Sequence, residues 1–155
     1  MCIRDRATVA VDDANSDNDF DAVVDQTVSV DTTDDDVAGF TIVELDGATE
    51  VDESGTTDTF TVVLDAQPTS DVVLTITSDD TGEATVNSPL TFTSANWDTP
   101  QTVTVTGADD SIIDGTITSI ATVAVDDANS DNDLEAVADH TVSVDTLDDD
   151  VACLL

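Results

Sequence analysis

Acidic side chains without basic partners are the chemically distinctive residues of this chain. Its 155 residues include 36 Asp and Glu but only 2 Lys and Arg, which gives a formal net charge of -34 at pH 7. Of the acids, 31 are Asp, a residue that favours turns and loops, whereas Glu favours helices. Both basic residues, Arg4 and Arg6, lie at the extreme N-terminus. A chain so poor in Lys and Arg lacks the groups that bind phosphate, which excludes nucleic acid as a direct partner.

Fourteen acids lie in four segments that we expect to meet at one end of the fold. Like charges a few ångströms apart cost on the order of 1 kcal/mol per pair even in water, so the cluster must stay solvated or bind cations. Carboxylates on flexible loops suit Ca²⁺, which takes about 6–8 oxygen ligands, better than Mg²⁺ with its strict octahedron. Zinc and copper prefer His or Cys. The acids are Asp46, Glu50, Asp52, Glu53, Asp58, Asp79, Asp80, Glu83, Asp109, Asp110, Asp114, Asp148, Asp149 and Asp150.

Oxygen-bearing side chains at every second position form another acidic feature, in the segment 127–135. The pattern imitates the start of an EF-hand loop, but Ala138 stands where the loop requires a bidentate Glu. The segment is therefore not an EF-hand. We predict either a looser, weaker metal loop or a solvated hairpin connection. The residues are Asp127, Asn129, Asp131, Asp133 and Glu135, and an earlier copy of the pattern has Asp13, Asn15, Asp17, Asp19 and Asp21.

The residues needed for nucleophilic catalysis are scarce. A Ser or Thr nucleophile needs an adjacent base and an orienting partner, and the chain has one His and no Lys. That His140 is replaced by Gln26 in the earlier copy, which argues against a catalytic or ligand role. The single Trp97 is predicted to plug one end of the core rather than to stack on a sugar. We therefore expect no enzymatic activity.

Seven short strands must hold these loops in position. Val and Thr alternate in short runs that are separated by Asp-Gly and other turn residues, and no run has a helical period. The sequence therefore predicts an all-β fold, a seven-strand antiparallel immunoglobulin-like β-sandwich. The predicted strands A to G are Phe40–Leu45, Thr59–Leu64, Val72–Thr77, Leu90–Thr93, Thr102–Thr106, Thr116–Val125 and Thr141–Asp145. The predicted core positions are Phe60, Val62, Leu64, Val72, Leu74, Ile76, Val103, Val105, Val142 and Val144.

An internal repeat predicts the domain organisation. Residues 7–38 and 121–152 are identical at 27 of 32 positions, with an offset of 114 residues. A repeat of this length indicates a tandem array of about one domain per period. We expect residues 37–152 to be one complete repeat and residues 7–36 to be the last two strands, F and G, of a preceding, truncated repeat.

The two ends of the chain are interpreted as sequencing artefacts. Residues 1–6 resemble a translated transposon-end adapter, and residues 153–155 resemble the same adapter read in reverse. These ends hold both cysteines and both arginines, so the cysteines carry no information on disulfides or redox compartment. The chain is therefore expected to be an internal fragment of a longer protein whose start is not represented.

The placement of several acids resembles that in Calx-beta domains. The resemblance rests on an acid after the first strand, three acids after strand E and an Asp triplet that closes strand G. Calx-beta domains are immunoglobulin-like, Ca²⁺-binding modules of sodium/calcium exchangers and many large bacterial surface proteins. The resemblance covers residues 37–150, but the segment that begins at Asp80 matches only in part and no Tyr is present. It implies Ca²⁺ as the cofactor, with the ligands Glu53, Asp80, Asp109, Asp110, Asp114, Asp148, Asp149 and Asp150.

The sequence therefore predicts a Ca²⁺-binding extracellular repeat that stiffens the stalk of a large adhesin-like or secreted bacterial protein. Its partners are predicted to be neighbouring repeats, while other domains contact cell-surface or glycan ligands. No apolar run is long enough to cross a bilayer, so no membrane insertion is expected. Two alternatives stay open. One is a passive acidic spacer whose charge keeps it soluble in salt, and the other is a carbohydrate-binding accessory module of a secreted hydrolase that uses Trp97.

Overall fold

The alternating Val and Thr runs form strands throughout the part of the chain that can be described. The computed structural model describes residues 3–12, 14–20 and 22–152, which contain eleven β-strands and three short 3-10 helices. They form two units, Met1–Asp36 and Val37–Leu155. Within these described residues, no helix has the length and apolar character needed to cross a membrane. Seven residues that figure in the sequence predictions lie outside the described ranges: Met1, Cys2, Asp13, Asp21, Cys153, Leu154 and Leu155.

The first unit is an antiparallel hairpin. Strand β1 (Ile3–Val9) pairs with β2 (Gln26–Thr32) along seven residues, from Ile3 opposite Thr32 to Val9 opposite Gln26. Every residue of β2 is exposed. Residues 3–6, which the sequence assigns to an adapter, are part of this strand pairing. Because an isolated two-stranded hairpin buries little apolar surface, it is marginally stable in water.

The second unit consists of two β-sheets that share one core. The five-stranded sheet has the order β4 (Thr49–Asp52), β11 (His140–Leu147), β10 (Ile117–Val125), β6 (Val72–Ser78) and β8 (Leu90–Phe92). The four-stranded sheet has the order β3 (Phe40–Glu44), β5 (Thr57–Leu64), β9 (Gln101–Gly107) and β7 (Ala84–Val86). Apolar residues of both sheets form a single buried cluster.

The ten predicted core positions are all buried, and none exposes more than 3% of its surface. They include Phe60 and Val103 of the four-stranded sheet and Leu74 and Val144 of the five-stranded sheet. The side chains alternate between the core and the surface because successive residues of a strand point to opposite faces. The predicted all-β fold is therefore confirmed, and each of the seven predicted strands is present with its ends within two residues.

The structure also contains two short strands, β4 and β7, in segments that are predicted from the sequence to be loops. Strand β3 pairs antiparallel with β5, whereas β4 pairs parallel with β11 in the other sheet. The sandwich is thus antiparallel except for this pair. The chain changes sheets at a 3-10 turn, Leu45–Gly47, in which Asp46 has a φ of 60° and Gly47 a φ of 83°. The left-handed backbone of this Asp-Gly pair breaks the strand and redirects the chain.

Candidate metal centre

Four segments bring carboxylates together at one end of the sandwich. Glu53 directly follows β4, Glu83 precedes β7, Asp110 and Asp114 follow β9, and Asp150 lies beyond β11. Glu53, Asp110 and Asp150 each offer a carboxylate oxygen within 4.8 Å of the others. Glu83, Asp110 and Asp114 form a second group with the same spacing. The two groups therefore share Asp110.

Glu53 is held in the protein interior by its main chain. Its N–H donates a hydrogen bond of 3.1 Å to the carbonyl oxygen of Leu147, which continues the pairing of β4 with β11. On the other side, a side chain at Gly107 would overlap the backbone of Asp52. Glycine at this position therefore allows β9 to lie directly against the residue before Glu53. The result is a Glu side chain that exposes only 1% of its surface.

The carboxylate of Glu53 has no hydrogen-bond partner on either oxygen. Burial raises its pKa to about 7, and the nearby charges of Asp110, Asp148 and Asp114 add to the increase. No Lys or Arg occurs between residues 7 and 155, so no basic side chain of this unit offsets the negative charge. An ionised carboxylate buried without a partner is costly, which makes this group a strong candidate for binding a cation.

Two further acids share this electrostatic environment. Glu83 exposes 7% of its surface, and burial raises its pKa, with Asp114 as the next largest cause. Burial also raises the pKa of Asp150, followed by the charge of Asp148. One oxygen of each, Oε2 of Glu83 and Oδ2 of Asp150, lacks a hydrogen-bond partner. The site therefore holds several carboxylate oxygens that a cation could bind without competing with a hydrogen bond.

The structure brings four of the eight predicted ligands into the two groups. The other four lie outside them. Asp148 accepts hydrogen bonds from the N–H groups of Gly115, at 2.9 Å, and Asp150, at 2.7 Å, and so orders the chain around the site. Asp80 accepts one from the N–H of Gly82 at 3.0 Å. The remaining two, Asp109 and Asp149, are exposed. The role of each of the eight as a metal ligand stays a prediction.

Glu83 is absent from the predicted ligand set. Its carbonyl oxygen accepts a hydrogen bond of 2.7 Å from the N–H of Ala108, which holds Glu83 beside the segment that carries Asp110 and Asp114. The residue type is a signal that could have singled out Glu83, because the chain has only five Glu among its 36 acids. The two acids buried at this end, Glu53 and Glu83, are both Glu. The Glu side chain is one methylene longer than that of Asp, so its carboxylate can reach farther inward from the end of a strand.

The other predicted acidic loop gives Asp131 a structural role. This carboxylate is 4% exposed, and its Oδ2 accepts three hydrogen bonds of 2.7 Å, from the N–H and hydroxyl of Thr69 and the N–H of Ser70. Its Oδ1 accepts a fourth from the N–H of Asp133. The bonds from Asp133 and Thr69 are the main causes that lower the pKa of Asp131 to about 2.

Asp131 therefore joins the loop after β10 to the loop after β5. Among the described residues, its loop forms no group of carboxylates with metal-ligand spacing. The geometry is that of a hairpin connection tied to its neighbour, and the weaker metal loop stays a prediction. The residues of that prediction are Asp127, Asn129, Asp131, Asp133 and Glu135.

Asp131→Ala should lower the free energy of unfolding by about 3 kcal/mol at neutral pH, because the donors of Thr69 and Ser70 lose a charged acceptor. The pKa of Asp131 is lower in the folded protein than its ordinary 3.8, so its contribution is present above about pH 4. It should disappear as the pH falls through about 2. Urea denaturation in calcium-free buffer measures both effects. The control is Asp127→Ala, an exposed change that should lower the free energy of unfolding by less than about 0.5 kcal/mol. An equal loss of stability in the two variants would contradict the structural role of Asp131.

Trp97 and His140, the two aromatic residues singled out in the sequence, both lie beside apolar residues of the sandwich. Trp97 is half-buried and packs against the core cluster, and its carbonyl oxygen accepts a hydrogen bond of 3.2 Å from the N–H of Leu64. This packing favours the predicted core role of Trp97 over stacking on a sugar. His140 is exposed, and its ring centroid lies 4.6 Å from that of Phe40.

Comparison with known proteins identifies the fold. No protein-family model and no curated protein matches this chain. The apo-form Calx CBD1 domain is 16% identical with a TM-score of 0.50, covering 72% of this chain and 98% of that one. The fold is Calx-beta-like. Domains 1–6 of the surface layer protein SbsC are 20% identical with a TM-score of 0.52, covering 82% of this chain.

The E. coli chaperone DraB has the same fold at 7% identity, with a TM-score of 0.51, covering 76% of this chain and 59% of that one. The present chain spans between 15% and 59% of the length of the S-layer chains that it resembles. All these identities are low, so the likeness shows a shared Calx-beta-like, immunoglobulin-like β-fold and nothing about shared activity.

Proposed function

We propose that residues 37–152 form a Ca²⁺-binding module of an extracellular or cell-surface repeat protein. The observation that carries the proposal is the buried Glu53 carboxylate, which has no hydrogen-bond partner and lies within 4.8 Å of oxygens of Asp110 and Asp150. Bringing such a group into the interior costs several kcal/mol when it is ionised. A cation bound to these oxygens removes that cost.

The donor set fits Ca²⁺. Carboxylate oxygens are hard ligands, and Ca²⁺ accepts about 6–8 oxygens in an adaptable arrangement that main-chain carbonyls and water can complete. Glu53, Asp110 and Asp150 would hold one ion, and Glu83 and Asp114 would join Asp110 at a second position. Further acids stand close enough for their charges to raise the pKa of Glu53, Glu83 or Asp150. They are Asp80, Asp109, Asp148 and Asp149.

Bound Ca²⁺ would neutralise the acidic end and order the segments that follow β4, β9 and β11. Because β11 leads directly into Asp148–Asp150, an ion held there stiffens the exit of the module. The repeated sequence supports a tandem array in which neighbouring modules are the immediate partners. Such an array becomes a rod in calcium-rich extracellular surroundings and a loose chain without calcium. The likeness in fold to S-layer protein domains is in keeping with a place at the cell surface.

A calcium titration of the full chain tests this function, with binding measured by calorimetry and stability by thermal melting. At a Ca²⁺ concentration about 100 times the dissociation constant, one site adds about 2.7 kcal/mol, which corresponds to an increase of about 5–10 °C in melting temperature. Matched ionic strength with NaCl is the control, and MgCl₂ tests selectivity. A melting temperature that responds equally to Na⁺ and Ca²⁺ would instead support the passive acidic spacer.

A further inference from the structure

Strand β11 is covered along only half of one edge. Strand β4 pairs with it from Val144 to Leu147, and no other described strand lies on that side of β11. The preceding strand β3 leaves the rest of the edge open because it pairs with β5 in the other sheet. The segment His140–Ser143 therefore has β10 on one side and no described strand on the other.

The main-chain groups of Thr141 point to this open side. The carbonyl oxygen of Leu147 accepts its hydrogen bond from the N–H of Glu53, which follows β4, so Leu147 faces away from β10. In an antiparallel pair, residues that face the partner strand alternate with residues that face away from it. Thr141 and Leu147 are an even number of residues apart, so Thr141 turns its N–H and C=O in the same direction. Such groups at a sheet edge are a template for another strand.

Strand β3 has a second open edge. The carbonyl oxygen of Gly39 accepts a hydrogen bond from the N–H of Asp65, so Gly39 faces β5 and the alternate residues Phe40 and Ile42 turn their main-chain groups away from it. Among the described strands, β5 is the only neighbour of β3. Each sheet thus contributes one uncovered edge to the same side of the sandwich.

A groove of about 610 Å³ lies between these two edges. We call it the edge groove. Its lining includes apolar side chains of both sheets and two acids, Glu44 at the end of β3 and Asp139 just before β11. The lining residues used below are Phe40, Ile42, Glu44, Asp139, His140 and Val142.

The two acids flank the edge groove. The ring centroid of Phe40 lies 4.6 Å from that of His140, so β3 begins beside the start of β11, next to Asp139. At the other end, Glu44 accepts a hydrogen bond of 3.2 Å from the hydroxyl of Thr49, which lies opposite Val144. About five residues of strand, or roughly 15 Å, therefore separate the acids. No Lys or Arg occurs between residues 7 and 155 to neutralise them.

We propose that the edge groove binds an extended segment of another protein, which pairs with β11 in line with β4 and carries Lys or Arg at both ends. Residues of the segment opposite His140 and Val142 share the face of these two side chains, so apolar residues there meet Phe40 and Ile42. The basic ends meet Asp139 and Glu44. In this mode of recognition, main-chain hydrogen bonds provide affinity and alternate side chains provide specificity.

Charge favours such a partner over a second copy of this chain. Each copy has a formal net charge of -34, so two copies repel each other, whereas a basic segment is attracted. Sedimentation of the unmodified chain tests this choice. A monomer is expected, and a dimer that Thr141→Pro dissociates would overturn the choice of partner.

A synthetic peptide, KKVTVKK, tests the pairing on the unmodified chain in calcium-free buffer at about 0.15 M NaCl, where long-range attraction is screened. Fluorescence anisotropy should show saturable binding. The peptide KKVPVKK has the same charge but cannot donate to the edge from its centre, and EEVTVEE has the opposite charge. Both should bind at least about tenfold more weakly. No binding of KKVTVKK, or equal binding of KKVPVKK, would overturn the proposal.

Thr141→Pro tests the pairing from the side of the protein. Pro is tolerated on a strand edge whose N–H faces outward, so the variant should melt cooperatively but bind KKVTVKK at least about tenfold more weakly. Thr141→Ala keeps the N–H and is the matched control, with an affinity within about twofold of the unmodified chain. Equal affinities of the two variants would overturn the pairing with β11. The peptide controls use the unmodified chain and decide the question if the Pro variant fails to fold.

The role of the flanking acids is tested by Glu44→Gln/Asp139→Asn, which should weaken KKVTVKK about fivefold. The matched control is Asp71→Asn/Asp98→Asn, which removes the same charge from exposed acids that do not line the edge groove and should change affinity by less than about twofold. Equal losses would overturn the selection of basic ends by these two acids. All measurements are made without calcium, so they succeed or fail independently of the ion site.

Discussion

Asp110→Asn should weaken calcium binding about 100-fold or more, because Asp110 contributes an oxygen to both described groups of acids. The change keeps the shape of the side chain and removes its charge, and calcium affinity depends on the number of charged ligands. A 100-fold loss corresponds to about 2.7 kcal/mol of binding free energy. Calorimetry gives the affinity, and the calcium-dependent rise in melting temperature should shrink in parallel.

The neighbouring residue provides a matched control for this prediction. Asp109 carries the same charge one position earlier in the chain, but it is exposed and belongs to neither group. Asp109→Asn should therefore reduce affinity by less than about tenfold, since it removes only long-range attraction that salt screens. Equal losses in the two variants would mean that total charge, rather than the arrangement of the groups, determines binding.

Strands can be predicted from the sequence where apolar and polar residues alternate without interruption. Val103 and Val105 stand between Thr residues, and a strand with this pattern must bury one face. Strand β4 shows no such signal, because its four residues include Glu50 and Asp52 and resemble an acidic loop. Its pairing is decided by β11, which lies about one hundred residues away in sequence. Contacts of this kind cannot be derived from local pattern.

The candidate site, like the fold, can be predicted only in part from the sequence. The resemblance to Calx-beta domains implies Glu53, in the loop after the first predicted strand, and Asp150, in the triplet after the last. The burial of Glu53 depends on the close approach of Gly107, which only the packed structure reveals. Asp131 shows a second limit of the sequence. Alternating oxygen side chains leave a weaker metal loop and a hairpin connection open, whereas the hydrogen bonds that Asp131 accepts come from Thr69 and Ser70, which are remote in sequence.

Glu53→Gln should have opposite effects on stability without and with calcium. Without calcium, the variant should melt at a higher temperature than the unmodified chain at neutral pH, because it avoids an ionised carboxylate in the interior. The pKa of Glu53 is raised from 4.5 to about 7 in the folded protein, so stability falls as the pH rises between these values. The difference between variant and unmodified chain should be near zero below about pH 4.5 and complete above about pH 7.

With calcium the order should reverse. The ion replaces the proton on the Glu53 carboxylate, so the affinity of the unmodified chain should rise as the pH increases through about 7, and Gln should weaken this dependence. Glu50→Gln, an exposed change in the same segment, should alter neither the pH profile nor the affinity appreciably. If Glu53→Gln were stabilised by calcium as strongly as the unmodified chain, Glu53 would not be a ligand. The gain in stability without calcium would then report only the burial of a charge, and the ion would have to bind at the exposed acids instead.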